Sequence, residues 1–169
     1  LRWLVGIFHQ ICEAVAFAHS RDVIHRDLKP DNVMLGDFGE VLVVDWGIAK
    51  VLGQEDSALA VSSLRNQEGV ATQAGQVSGT PAYMSPEQAA GEVHLIDARS
   101  DVYALGAILY EMISGRPPYE GTDSQAVLEK VRSVPPAPLS DSVAELPSGL
   151  DARSLGERGE LVRICERAM

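Results

Sequence analysis

At 169 residues and 46% hydrophobic content the chain is long enough for one domain with a core, but these averages do not identify a function. Its 14 Lys and Arg against 24 Asp and Glu leave a formal net charge of −10, which repels phosphate backbones, argues against nucleic acid as a partner and favours basic polypeptides. No apolar run approaches the ~20 residues of a membrane span, and no basic, cleavable leader opens the chain, so the reading is a cytoplasmic protein whose full-length form could still be anchored elsewhere.

Apolar residues at Leu1, Leu4, Val5, Phe8, Ile11, Cys12, Val15 and Ala18 follow the i, i+3, i+4 spacing of an amphipathic helix, predicted over about 1–20. The pattern starts in mid-helix without a Met, as a trimmed N-terminus would. A polar loop is expected from Val23 to Asn32, where Pro30 forces Lys29 into an extended conformation. Next, Val33-Met34-Leu35 and Val41-Leu42-Val43-Val44 flank a turn at 36–40 and predict a hairpin. Pairing Leu35 with Leu42 and Val33 with Val44 would make Asn32 and Asp45 cross-strand neighbours, roughly 5 Å apart.

The stretch Leu52 to Ser78, rich in Gly, Ser, Gln and Ala, has no sustained period and reads as a long loop. A strong helix is predicted over 100–114, with Val102, Leu105, Ile108, Leu109, Met112 and Ile113 on its apolar face and Gly115 and Pro117 closing it. Its nearly continuous apolar character implies a central, buried position. A shorter helix is expected over 124–131, a Pro-rich loop at 135–138 and a last helix over 161–169. Cys12 and Cys165 fall on apolar faces of these helices, where a buried free thiol is the usual occupant, and neither belongs to a metal-ligand cluster.

Three motifs carry chemistry. His25-Arg26-Asp27-Leu28-Lys29-Pro30-Asp31-Asn32, then Asp45-Trp46-Gly47, then Ser85-Pro86-Glu87 resemble the catalytic loop, metal-binding motif and activation-segment end of a protein kinase, in the same order and on fitting elements. The resemblance covers almost the whole chain; Lys29 two residues after Asp27 resembles the serine/threonine class, and the hairpin sequence Leu35-Gly36-Asp37-Phe38-Gly39-Glu40 with the Asp-Trp-Gly variant resembles bacterial signalling kinases. It implies an α+β, mainly helical fold: a kinase C-lobe over 1–169 with a small hairpin carrying the metal-binding residues, an activation segment over 45–87, and an N-lobe of the same polypeptide outside this stretch.

Phosphoryl transfer needs a carboxylate, a cation and metal ligands converging on one point. Asp27 can accept the hydrogen bond and finally the proton of a substrate hydroxyl. Lys29 can neutralise the γ-phosphate of ATP. Asn32 and Asp45 offer the hard oxygens that Mg²⁺, or Mn²⁺ in its place, prefers. Substrates would then be proteins with Ser or Thr acceptors.

The resemblance gives other residues supporting roles. His25 and Trp46 should pack toward the core, and Arg26 should meet a phosphate on the activation loop, where Ser57, Ser62, Ser63, Thr72 and Ser78 are the candidate acceptors. Thr80, in a substrate-docking loop over 79–87, should bond Asp27 and Lys29. Asp101 should hold the catalytic loop's backbone from the start of the second long helix. His9, His19 and His94 read as packing or surface residues.

Two departures qualify the match. Trp46 stands where most kinases carry Phe, which bears on how the motif switches, although Asp45 and the hinge-like Gly47 remain. The glycine-rich loop, the strand lysine and its glutamate partner would precede Leu1, and the arginine expected to pair with Glu87 would follow Met169. This stretch alone is therefore expected to be inactive and only marginally stable. The alternatives are a pseudokinase or docking scaffold, and a kinase-like enzyme acting on a small molecule. Intact Asp27, Lys29, Asn32 and Asp45 argue against the first, and the docking loop argues against the second.

Overall fold

The computed structural model describes residues 2–46, 50–51, 81–139 and 152–169. Helix α1 (Arg2–His19) buries Ile11, Val15 and Ala18, the C-terminal part of the predicted stripe, while Val5 is exposed. Val23–Ile24, expected to belong to a polar loop, instead forms a short strand β1 that pairs antiparallel with β4 (Lys50–Val51), Val23 facing Val51. Ile24 is fully buried and Val23 half-buried, and both are β-branched residues that suit a strand.

Strands β2 (Val33–Leu35) and β3 (Val41–Val43) form the predicted hairpin, but its register is one residue off the expected one. Val33 pairs with Val43, Met34 with Leu42 and Leu35 with Val41. The turn decides this: Gly36 N–H donates to Glu40 O at 2.8 Å and Gly39 N–H to Gly36 O at 3.1 Å, closing a five-residue loop with Gly39 at φ 90°. Val33, Val41 and Val43 consequently face the core, and Met34 and Leu42 face outward.

Helix α2 (Pro86–Ala90) is short and follows a 3-10 turn at Pro81–Tyr83. Helix α3 (Ala98–Ser114) begins at Asp97, whose carboxylate accepts from Arg99 N–H, and ends at Gly115 in the left-handed conformation. Ten of its 17 residues are buried, so it is the central helix that the sequence indicates. Its faces differ from the expected ones: Val102 is 43% exposed, and Ser100, Asp101 and Gly106 are buried.

Helix α4 (Ser124–Ser133) is capped by Asp123. The last helix, α5 (Ala152–Ala168), starts about nine residues before the predicted point, because its first half lacks an apolar period to announce it. The core lies where α1, α3 and α4 meet around Leu28 and Tyr83, with a second cluster of Leu109, Tyr110, Ile113, Leu139 and Cys165 between α3 and α5. Cys12 is half-buried rather than buried, and Cys165 is buried as expected. No helix among the described residues is long and apolar enough to cross a membrane.

Candidate active site

The loop between β1 and β2 leaves the core at buried His25 and returns at the 3-10 turn Pro30–Asn32. Between them the side chains of Asp27, Lys29 and Asn32 converge. Lys29 Nζ donates to Asp27 Oδ2 at 2.7 Å. Asn32 Nδ2 donates to Asp27 O at 2.7 Å and to Asp27 Oδ2 at 3.2 Å. Both partners of that nitrogen are acceptors, which fixes the amide's orientation and leaves Asn32 Oδ1 as a free-facing hard-oxygen acceptor. Lys29 is extended, with φ −161° and ψ 163°, as Pro30 requires.

Asp101 anchors this loop. Its carboxylate, 1% exposed, accepts from His25 N–H and Arg26 N–H, each at 2.8 Å, and from His19 Nε2 at 2.8 Å. Sequence reasoning placed Asp101 here but assigned His19 to packing or surface. His19 ends α1 and reaches across 82 sequence positions, a distance at which no local pattern could reveal the pairing.

His25 joins the loop to the hairpin. Its Nε2 lies 3.1 Å from Val44 O, and its Nδ1 lies 3.3 Å from Asp27 N–H. Only the tautomer protonated at Nε2 satisfies both contacts. Trp46 packs against the His25 ring in a tilted arrangement, with centroids 4.5 Å apart and planes at 55°, and donates Nε1–H to Val43 O at 2.9 Å. The expectation of a core-packed Trp46 is corrected in part: its ring contacts buried His25, yet the residue is 36% exposed.

Val44 N–H donates to Asn32 O at 2.9 Å, extending the ladder by one pair. Asp45 therefore sits one residue beyond Asn32's partner, exposed and at φ 63°, instead of directly opposite Asn32. The left-handed turn at Asp45 is what the register shift substitutes for direct pairing.

The segment after residue 80 packs beneath this loop. Tyr83 OH donates to Glu111 Oε2, and burial followed by the Glu111 carboxylate pushes its pKa upward. Ser85, 1% exposed, caps α2 together with Gln88. Gln88 Nε2 also donates to Arg26 O at 2.6 Å, a link that sequence reasoning missed. Glu87, expected to lack a partner, accepts a hydrogen bond from the Ser100 hydroxyl of α3. Gly47, Thr80 and the candidate acceptors Ser57, Ser62, Ser63, Thr72 and Ser78 lie outside the described residues.

Comparison with known proteins shows the family. The family model for the protein kinase domain matches residues 3–148. The chain is 46% identical over 121 residues to the serine/threonine-protein kinase PknD of Protochlamydia amoebophila, covering 69% of this chain and 12% of that protein. It is 41% identical over 141 residues to the probable serine/threonine-protein kinase PknB of Corynebacterium glutamicum, covering 83% and 20%. A serine/threonine-protein kinase PknB of Mycobacterium tuberculosis is 36% identical over 148 residues, covering 88% and 21%.

The chain belongs to the protein kinase domain family, and its mainly helical architecture is that of a C-lobe. Within the family, these relatives are bacterial serine/threonine kinases, and the chain spans about a fifth or less of their length. Protein kinase domains in general use ATP and a divalent metal.

Proposed function

We propose that this chain is the catalytic-loop-bearing part of a serine/threonine-protein kinase, with Asp27 as the base, Lys29 as the charge-neutralising cation and residues 45–87 as the activation segment. The substrate hydroxyl oxygen attacks the γ-phosphorus of ATP, the bond from that phosphorus to the bridging oxygen breaks, and ADP leaves. The hydroxyl proton passes to Asp27. Lys29, held 2.7 Å from the Asp27 carboxylate, supports this reading by placing a positive charge where the transferring group would lie.

Asn32 Oδ1 and the exposed Asp45 carboxylate are a donor set that fits a hard divalent cation, Mg²⁺ or Mn²⁺. Such an ion would supply neutralisation of phosphate oxygens there. Arg26 and Thr80 are read as contacts for an activation-loop phosphate and for the Asp27–Lys29 pair, respectively.

The observation that carries the proposal is the convergence of Lys29 and Asn32 on one oxygen of Asp27, on a loop whose backbone is anchored by buried Asp101. The test is transfer of labelled γ-phosphate from Mg-ATP to a basic protein by the full native polypeptide, with Asp27→Asn beside it. Loss of about 10²–10⁴-fold in the variant is expected for removal of a general base. Equal transfer by both would remove Asp27 from the chemistry. A folded native polypeptide without any transfer would favour a docking scaffold.

A further inference from the structure

Both backbone polar groups of Arg26 are bonded by side chains that arrive from distant parts of the chain. Its N–H donates to Asp101 Oδ1 at 2.8 Å, and its carbonyl accepts from Gln88 Nε2 at 2.6 Å. Arg26 has φ 72°, a left-handed conformation that a side chain bearing a Cβ adopts only when its surroundings impose it. Asp101 imposes it from the amide side and Gln88 from the carbonyl side. The next residue is Asp27.

The Gln88 amide is divided between two tasks. Its Oε1 accepts from Ser85 N–H at 3.1 Å and from Ser85 Oγ at 3.2 Å, completing a capping box at the start of α2. Its Nε2 faces the Arg26 carbonyl across 62 sequence positions. Donors on one side and an acceptor on the other admit a single orientation of the amide. Ser85 closes the segment that begins at the buried turn Pro81–Tyr83. One side chain therefore bridges that segment and the peptide group preceding Asp27.

We propose that Gln88 is a positioning residue that couples the seating of residues 81–88 to the conformation of the catalytic loop. Withdrawal of this segment removes the donor from Arg26 O and leaves the left-handed residue anchored on its amide side by Asp101. The peptide group preceding Asp27 then loses one of its two side-chain anchors. The kinetic consequence rests on the phosphotransfer reading above, whereas the structural consequence does not.

A plain helix-capping role is the competing explanation, and Gln88→Glu separates the two. A Glu at this position keeps an acceptor for Ser85, since Ser-x-x-Glu is itself a capping box. It has no N–H for Arg26 O. Gln88→Met removes the same donor without adding charge and serves if the first variant fails to fold. In the full native polypeptide, hydrogen exchange over residues 24–29 is expected to accelerate about tenfold in either variant, the scale of one lost hydrogen bond. In Gln88→Glu, peptides from α2 should keep their wild-type rate. Phosphate transfer should show kcat lowered about tenfold with KM for ATP unchanged.

Wild-type exchange over 24–29 together with wild-type kcat in the folded variants would overturn the coupling. Weakened α2 protection with an undisturbed catalytic loop would assign Gln88 to capping alone and overturn it equally. A wild-type protein that transfers no phosphate would retire the kinase reading, while the exchange comparison would still decide whether Gln88 holds the loop.

Discussion

Asp101 collects three N–H donors on one buried carboxylate: His25 and Arg26 from the backbone and His19 from its ring. An amide in its place has a single oxygen to share among them and turns an NH₂ group toward a donor. Asp101→Asn should therefore lower stability by about 3 kcal/mol, the scale of breaking a buried charged network. Urea denaturation measures this, and a loss below about 1 kcal/mol would mean that the three contacts are not a stabilising unit. Asp27, Lys29 and Asn32 were legible in the sequence because six contiguous residues and one proline set their geometry. Asp101 was legible through family resemblance, while His19 and Gln88 were not, since each becomes informative only beside a partner 82 or 62 positions away.

Among the elements, α3 depends most on close approach. A Cβ at Gly106 would lie 2.8 Å from Met169 Cγ and 2.9 Å from Ala168 Cβ, so α5 packs against bare backbone there, and Cys165 Sγ donates to Gly106 O at 3.2 Å. Gly106→Ala gains up to about 1 kcal/mol of helix propensity, but it overpacks a contact with little room to give. A net loss of about 1–2 kcal/mol is expected, read as a lowered thermal midpoint, and a raised midpoint would show that α5 yields. Helix positions were read well from apolar spacing where one face is apolar. In α3 the expected apolar positions are buried or packed on the core except Val102, which is 43% exposed, because a helix buried on several sides has no single stripe. The hairpin's existence followed from two β-prone runs, but its register followed from turn hydrogen bonds that composition does not encode.

At the scale of the whole molecule, the buried Cys165 thiol reports on global opening and the half-buried Cys12 on local motion. Burial, with Glu166 adding to it, pushes the Cys165 thiol up to about 12, and burial raises Cys12 as well. The raised value means that the folded state favours the protonated thiol. Its contribution to stability is fully present below the ordinary thiol value of 9.0 and is lost as pH rises toward 12. Alkylation at pH 8 should modify Cys12 readily once exposed by local motion, and Cys165 only as fast as the molecule unfolds. Cys165 labelling in native buffer at the rate seen in urea would contradict the buried contact with Gly106.

The sequence by itself determined the family, the order of the motifs and the central helix, because each depends on residue type and short-range spacing. Tertiary structure decided the hairpin register, the exposure of Trp46, the Ser100 partner of Glu87, and the ties from His19 and Gln88 to the loop. These depend on which distant backbone groups arrive unsatisfied at the same place, and a buried N–H or C=O must find its partner wherever the folded chain provides one.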